Sequence, residues 1–200
     1  MNILDTRAYQ WLETATDFFL LSLLWLLACL PVVTVFPSTA AMFGVVRDWT
    51  RGRETGVFAA FVLRFRQNLR QSLAVGMLWA LFGGTLFLDF LIADGMPPGP
   101  QVVMRLMLVL AGILYALASV FLFPVMVHYD TDWLAVPKNA LLLGVGRLPI
   151  TLLCLATVLA AAALTLFVPA LLVVTPSVTA YAVYRLCGRE FRKIDTSPDR

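Results

Sequence analysis

From residue 18 to residue 46 the chain runs 29 positions without an aspartate, glutamate, lysine or arginine. Three more charge-free tracts follow, at 71–88, 106–129 and 148–184. A helix needs about 20 apolar residues to cross a hydrocarbon core about 30 Å thick. A backbone facing lipid must satisfy its own hydrogen bonds, which selects helices. The first three tracts read as one span each. The fourth has 37 residues and as one helix would reach about 55 Å, so it divides at Phe167-Val168-Pro169 into two spans joined by a tight turn. The expectation is an all-α membrane bundle in a single domain over 1–200, with spans at about 17–36, 71–93, 103–128, 149–168 and 170–187.

Composition agrees. Hydrophobic residues make up 60% of the chain and charged residues 14%, with a mean hydropathy of +0.86, against about 45–50% and 25% in soluble domains. A domain of this size still leaves about 30% of its surface in water, so the excess cannot all be hidden inside a globule. A soluble enzyme, a secreted disulfide scaffold and a nucleic-acid-binding module are all disfavoured.

The connections sort by charge. Arg47, Arg51, Arg53, Arg64, Arg66 and Arg70 fall in the 37–70 loop, Lys138 and Arg147 in the 129–148 loop, and Arg185, Arg189, Arg192 and Lys193 at the C-terminus. The turn from Asp94 to Pro100 carries no cation, and the N-terminus only Arg7. The positive-inside bias then expects both basic loops and the 188–200 tail in the cytoplasm and the N-terminus outside. Four spans would put the basic tail on the opposite face. A cleaved signal peptide is not expected, because Asp5, Glu13 and Asp17 outnumber Arg7 ahead of the first tract. The arginine clusters read as a topology signal and an attraction to anionic lipids at the cytoplasmic face, not as a nucleic-acid surface.

The cytoplasmic pieces are amphipathic. Phe58, Phe61, Val62, Phe65 and Leu69 share one side of a helix, with Arg64, Arg66, Gln67, Asn68 and Arg70 on the flanks and back. That pattern fits a helix lying in the membrane interface before turning into span two, although packing on another helix gives the same stripe. Residues 38–49 form a second such helix with Ser38 as its N-cap, and about 132–146 a third.

Candidate sites are few. Asp89 and Arg105 lie within spans two and three, symmetric about Pro97. A charge inside the bilayer is costly and usually paired, so an ion pair across this hairpin is expected. Pro31…Pro37-Ser38 and Pro169…Pro176-Ser177 end spans one and five alike. Proline removes a backbone donor, and such breaks either line a substrate cavity or are kinks satisfied by neighbours. Asn68 and Asn139 each precede an inside-to-outside span, as interhelical anchors or a partner-docking surface. Gly76, Gly83 and Gly84 in span two read as points of close helix approach. His128, with Tyr129, Asp130 and Asp132, lacks the convergent ligands a metal needs, and Cys29, Cys154 and Cys187 have neither disulfide-framework nor zinc spacing. No zinc-protease, phosphate-loop or nucleophile motif is present. Neither enzyme activity, a metal nor a cofactor is expected.

The chain resembles the YesL family of small bacterial integral membrane proteins. The resemblance rests on Leu24-Trp25-Leu26-Leu27 leading into Leu30-Pro31-Val32-Val33-Thr34 and Pro37-Ser38-Thr39-Ala40-Ala41. It continues in Phe61-Val62-Leu63-Arg64-Phe65-Arg66-Gln67-Asn68 and in Lys138-Asn139-Ala140-Leu141-Leu142. It implies a cytoplasmic-membrane protein associated with carbohydrate uptake, and no catalytic residues. Two roles are expected: an accessory or scaffolding protein bound to ABC-type carbohydrate importer subunits, or a small transporter, as a single chain or a homo-oligomer, working at the proline-broken ends of spans one and five. A polar cavity would favour transport, and a dry, apolar bundle the accessory role.

Overall fold

Among the residues described by the computed structural model, 3–53, 56–129 and 133–195, every regular element is helical; for 3–10 and 189–195 only the backbone is described. The elements are α1 (Ile3–Ala28), α2 (Val35–Thr50), α3 (Val57–Ala93), α4 (Pro98–His128), α5 (Ala135–Gly146), α6 (Leu148–Phe167) and α7 (Thr175–Asp195). Short 3₁₀ turns at Val32–Thr34 and Pro169–Val173 lead into α2 and α7. Among the described residues four helices are long and apolar enough to cross a membrane: α1 from Trp11, α3, α4 and α6.

The tract expected as a fifth span is built differently. Its first residues form the 3₁₀ turn, and α7 begins at Thr175 with Pro176 in its first turn, where the missing N–H is harmless. α7 is two-faced: Ser177, Ala180, Val183, Tyr184 and Cys187 are buried while Val178 and Arg185 are exposed. Thr175, Ser177, Thr179 and Arg185 make its described part more polar than the four long apolar helices.

The second difference concerns α2. Instead of lying on an interface, it is sheathed by α1, α3, α4 and α7, and Pro37, Ser38 and every residue from 40 to 46 are buried. Protein, not lipid, covers its amphipathic stripe on nearly all sides. Ser38 is not a cap; its hydroxyl donates to the Thr34 carbonyl at 2.6 Å, within the first turn. Pro31 is exposed in the break between α1 and α2, and Pro37 occupies the first turn of α2.

Contacts fix the directions. The Phe18 ring meets Trp49 at 5.1 Å and the Trp25 indole N–H donates to Thr39 at 3.2 Å, so α1 and α2 are antiparallel. Arg64 reaches Asp48 and Phe36 lies against Gly76, so α2 and α3 are antiparallel as well. α1 and α3 therefore run the same way, where opposite directions were expected. The start of α1 lies at the arginine-bearing end of the molecule.

α3 is continuous over 37 residues; no turn separates its basic first half from its apolar second half. Val57, Ala60 and Phe61 are buried toward α2, and Phe58 is exposed. In the α3–α4 hairpin Trp79 stacks on Tyr115 at 4.8 Å and donates to Ser119 at 2.8 Å. Gly83 lies beneath the Tyr115 hydroxyl, while Gly84 faces open space. Beyond this point the hairpin's outer surface is apolar and exposed, including Phe87, Leu91, Leu106 and Leu110. α5 returns along α4 so closely that a Cβ at Gly144 would stand 2.8 Å from the Leu117 carbonyl oxygen.

Candidate functional site

Polar chemistry gathers where α2, α3, α4 and α7 meet at the arginine-bearing end. Asp48 is 3% exposed. Arg64 holds it with two hydrogen bonds, Nε to Oδ2 and Nη2 to Oδ1, both 2.8 Å. Arg53 approaches at 3.7 Å and Arg47 Nε at 3.9 Å. Arg64 reaches inward because the buried stripe of α3, through Val57, Ala60, Phe61, Ser72 and Val75, passes through position 64 at helical spacing. Gly44 lets its stem cross α2: a Cβ there would lie 3.0 Å from the Arg64 side chain. Arg47 points to α4, where Nη1 donates to the Val127 carbonyl. Its Nε is buried with no hydrogen-bond partner among the described residues. Burial, followed by the positive fields of Arg64 and Arg51, holds the Arg47 pKa below its usual range.

Beside this lock opens a cavity of about 480 Å³ lined by Trp49, Arg51, His128, Tyr181, Tyr184 and Arg185, with Thr50 and Gly188. His128 Nδ1 lies 3.1 Å from the Tyr184 hydroxyl. The Arg185 guanidinium lies over the Tyr181 ring at 5.6 Å. Burial pushes the Tyr184 pKa up to about 12, so its hydroxyl keeps its proton. No carboxylate among the described residues lines this cavity.

A second cavity, about 570 Å³, lies between α4, α6 and α7. Phe43, Tyr115, Phe123, Leu155, Val158, Ala161, Ala162, Pro176 and Val183 make its wall apolar. Of the hydroxyls on it, Ser119 donates to the Tyr115 carbonyl, Thr165 to the Ala162 carbonyl and Thr175 to the Leu171 carbonyl. Such bonds leave little to recognise a polar solute.

The expected site residues are scattered. Arg105 pairs with Asp94, not with Asp89. Its flexible side chain extends outward to the polar turn, as an arginine near a helix end does; Asp89 is half-buried without an ion-pair partner among the described residues. Of the proline breaks, only Pro176 lines the apolar cavity. Ser177 turns to α1, donating to the Phe18 carbonyl at 2.8 Å and accepting from Ser22 at 2.8 Å. Asn68 bonds within its own helix, to the Arg64 carbonyl at 2.9 Å. Asn139 is half-buried on α5 with no side-chain hydrogen bond among the described residues. Asp130 and Asp132, and the side chains of Arg189, Arg192 and Lys193, lie outside the described residues; the remainder hold no cluster of metal-ligating side chains. The Asp48–Arg64 lock and the Arg51–Arg185 cavity were not expected.

Comparison with known proteins gives a consistent relationship. Residues 18–90 match the family described as protein of unknown function DUF624. The uncharacterized protein YesL of Bacillus subtilis (strain 168) is 30% identical over 185 residues, covering 90% of this chain and 87% of the relative. The uncharacterized proteins YteU and YesV of the same organism are 29% and 28% identical over 169 and 151 residues. These alignments take in 82% and 74% of this chain, and 75% and 72% of the relatives. No solved structure matches.

Proposed function

The chain belongs to the YesL (DUF624) family, and from that premise we propose that it is an accessory or scaffolding component of the bacterial cytoplasmic membrane. The observation that carries this reading is the apolar cavity. Sugar recognition requires several convergent, uncommitted polar groups, and here the wall is aliphatic and aromatic with three of its hydroxyls bonded to nearby carbonyls. Of the buried polar residues, Ser22 with Ser177 and Asp48 with Arg64 join helices, while Ser38 and Ser72 bond to carbonyls one turn earlier. Such a molecule is equipped to hold a shape, not to pass a solute.

The partner we infer, from what the family resemblance implies, is the membrane part of an ABC-type carbohydrate importer. The arginine-bearing end faces the cytoplasm, following the positive-inside bias. The parallel run of α1 and α3 supports an N-terminus on that same side, in place of the outside position expected from the loops.

Affinity purification of the tagged full chain from its native membranes in mild detergent tests the reading. Importer subunits should co-purify in near-stoichiometric yield, and the chain alone in proteoliposomes should give no sugar flux above empty vesicles. Saturable flux from the chain alone would establish the transporter instead.

A further inference from the structure

The arginine-bearing end carries more positive charge than its partners use. Around Asp48 and the adjoining cavity stand Arg47, Arg51, Arg53, Arg64 and Arg185, five cations to one carboxylate among the described residues. Asp48 is taken by Arg64, with Arg53 and Arg47 at longer range. Arg51 and Arg185 form no ion pair with any described residue, yet they converge on one cavity from different helix surfaces. Arg51 caps the end of α2, where a cation suits the negative end of the helix. Arg185 packs against the face of Tyr181. Neither arrangement occupies the guanidinium N–H groups.

We propose that the cavity bounded by Arg51, Arg185, His128, Tyr184, Trp49 and Tyr181 is a binding site for a phosphate-bearing anion. Two guanidinium groups approaching from separate elements match an anion with several oxygens pointing in different directions, and arginine is the usual partner of phosphate. The volume of about 480 Å³ exceeds what a bare phosphate fills, so the anion carries an attached group, which the Trp49 and Tyr181 rings flank. The Tyr184 hydroxyl and the His128 ring lie at the inner wall. The same chemistry serves a soluble phosphate monoester and the headgroup of an anionic phospholipid. This assignment is independent of the accessory role.

The test uses the purified full chain in a neutral detergent, with binding followed by Trp fluorescence and by thermal unfolding. One arm titrates glycerol 3-phosphate; the other titrates dihexanoyl phosphatidylglycerol against dihexanoyl phosphatidylcholine. Saturable binding in the first arm identifies a soluble ligand. Saturation by phosphatidylglycerol and not phosphatidylcholine identifies a headgroup. In either case Arg51→Gln and Arg185→Gln should each weaken binding about tenfold, and Arg66→Gln should leave it unchanged. Arg51 and Arg185 are exposed, so both variants should elute from gel filtration as the parent does; Arg185→Lys should retain part of the affinity. No saturation by any phosphate-bearing probe, or equal affinity in the double variant, overturns the assignment.

Discussion

Replacing Asp48 by alanine removes the one carboxylate among the described residues that lets α2 and α3 hold their arginines inside the bundle. The side chain is 3% exposed, and the Arg64 and Arg47 side chains are 14% and 13% exposed, so water cannot take over the lost bonds. Breaking a buried pair by deleting one partner costs about 3–5 kcal/mol. Here the penalty falls on two guanidinium groups that already repel, since Arg64 is among the causes that depress the Arg47 pKa. For a chain of this length each kcal/mol is about 2–4 °C, so Asp48→Ala should unfold about 10 °C earlier in detergent. Arg64→Ala should fall by a similar amount. In the double variant the two losses should overlap by about 2 kcal/mol or more. The coupling should persist in about 0.5 M salt, because burial shields it from screening. Thermal unfolding of the four proteins, read by Trp fluorescence, completes the cycle. Strictly additive losses would refute the reasoning.

Further expectations follow from close contacts and hydrogen bonds. Gly144→Val places side-chain atoms against the Leu117 backbone carbonyl, which cannot swing aside; a loss of about 1–3 kcal/mol and faster amide exchange across α5 should result. Asp94→Asn and Arg105→Gln disrupt a pair whose side chains are 55% and 47% exposed, so each should change stability by less than about 1 kcal/mol. A double-mutant cycle showing strong coupling of Arg105 to Asp89 instead would restore the pairing expected from symmetry. Ser177→Ala removes bonds to Ser22 and to the Phe18 carbonyl at a cost of about 1–3 kcal/mol, and should raise trypsin cleavage within α7.

The long helices were legible because charge-free tracts have one physical explanation, and the break near Val168 was visible from Pro169. What stayed hidden were relations between segments. An amphipathic stripe records that one side of a helix avoids water, not whether lipid or protein covers it, and so α2 was assigned to an interface. Asp48 and Arg64 are 16 residues apart on separate helices, a spacing with no local signature. A hint was present: Arg64 falls on the same turn-to-turn line as Val57, Phe61, Asn68 and Ser72, where an outward-facing arginine would not be found. Symmetry about Pro97 points Arg105 to Asp89, whereas its side chain follows the gradient toward water to Asp94.

The sheathing of α2 bears on how the chain matures. Its neighbours include α3 and α4, made after it, and α7, the last of the described helices. When α2 leaves the ribosome, neither Arg64 nor the Ser177–Tyr184 side of α7 has emerged, so its final surroundings cannot form as it is delivered. Assembly must therefore wait for α7, which closes over a segment left uncovered on that side while α3 to α6 are made. A polypeptide halted before Thr175 would leave that segment uncovered, a ready substrate for membrane quality-control proteases.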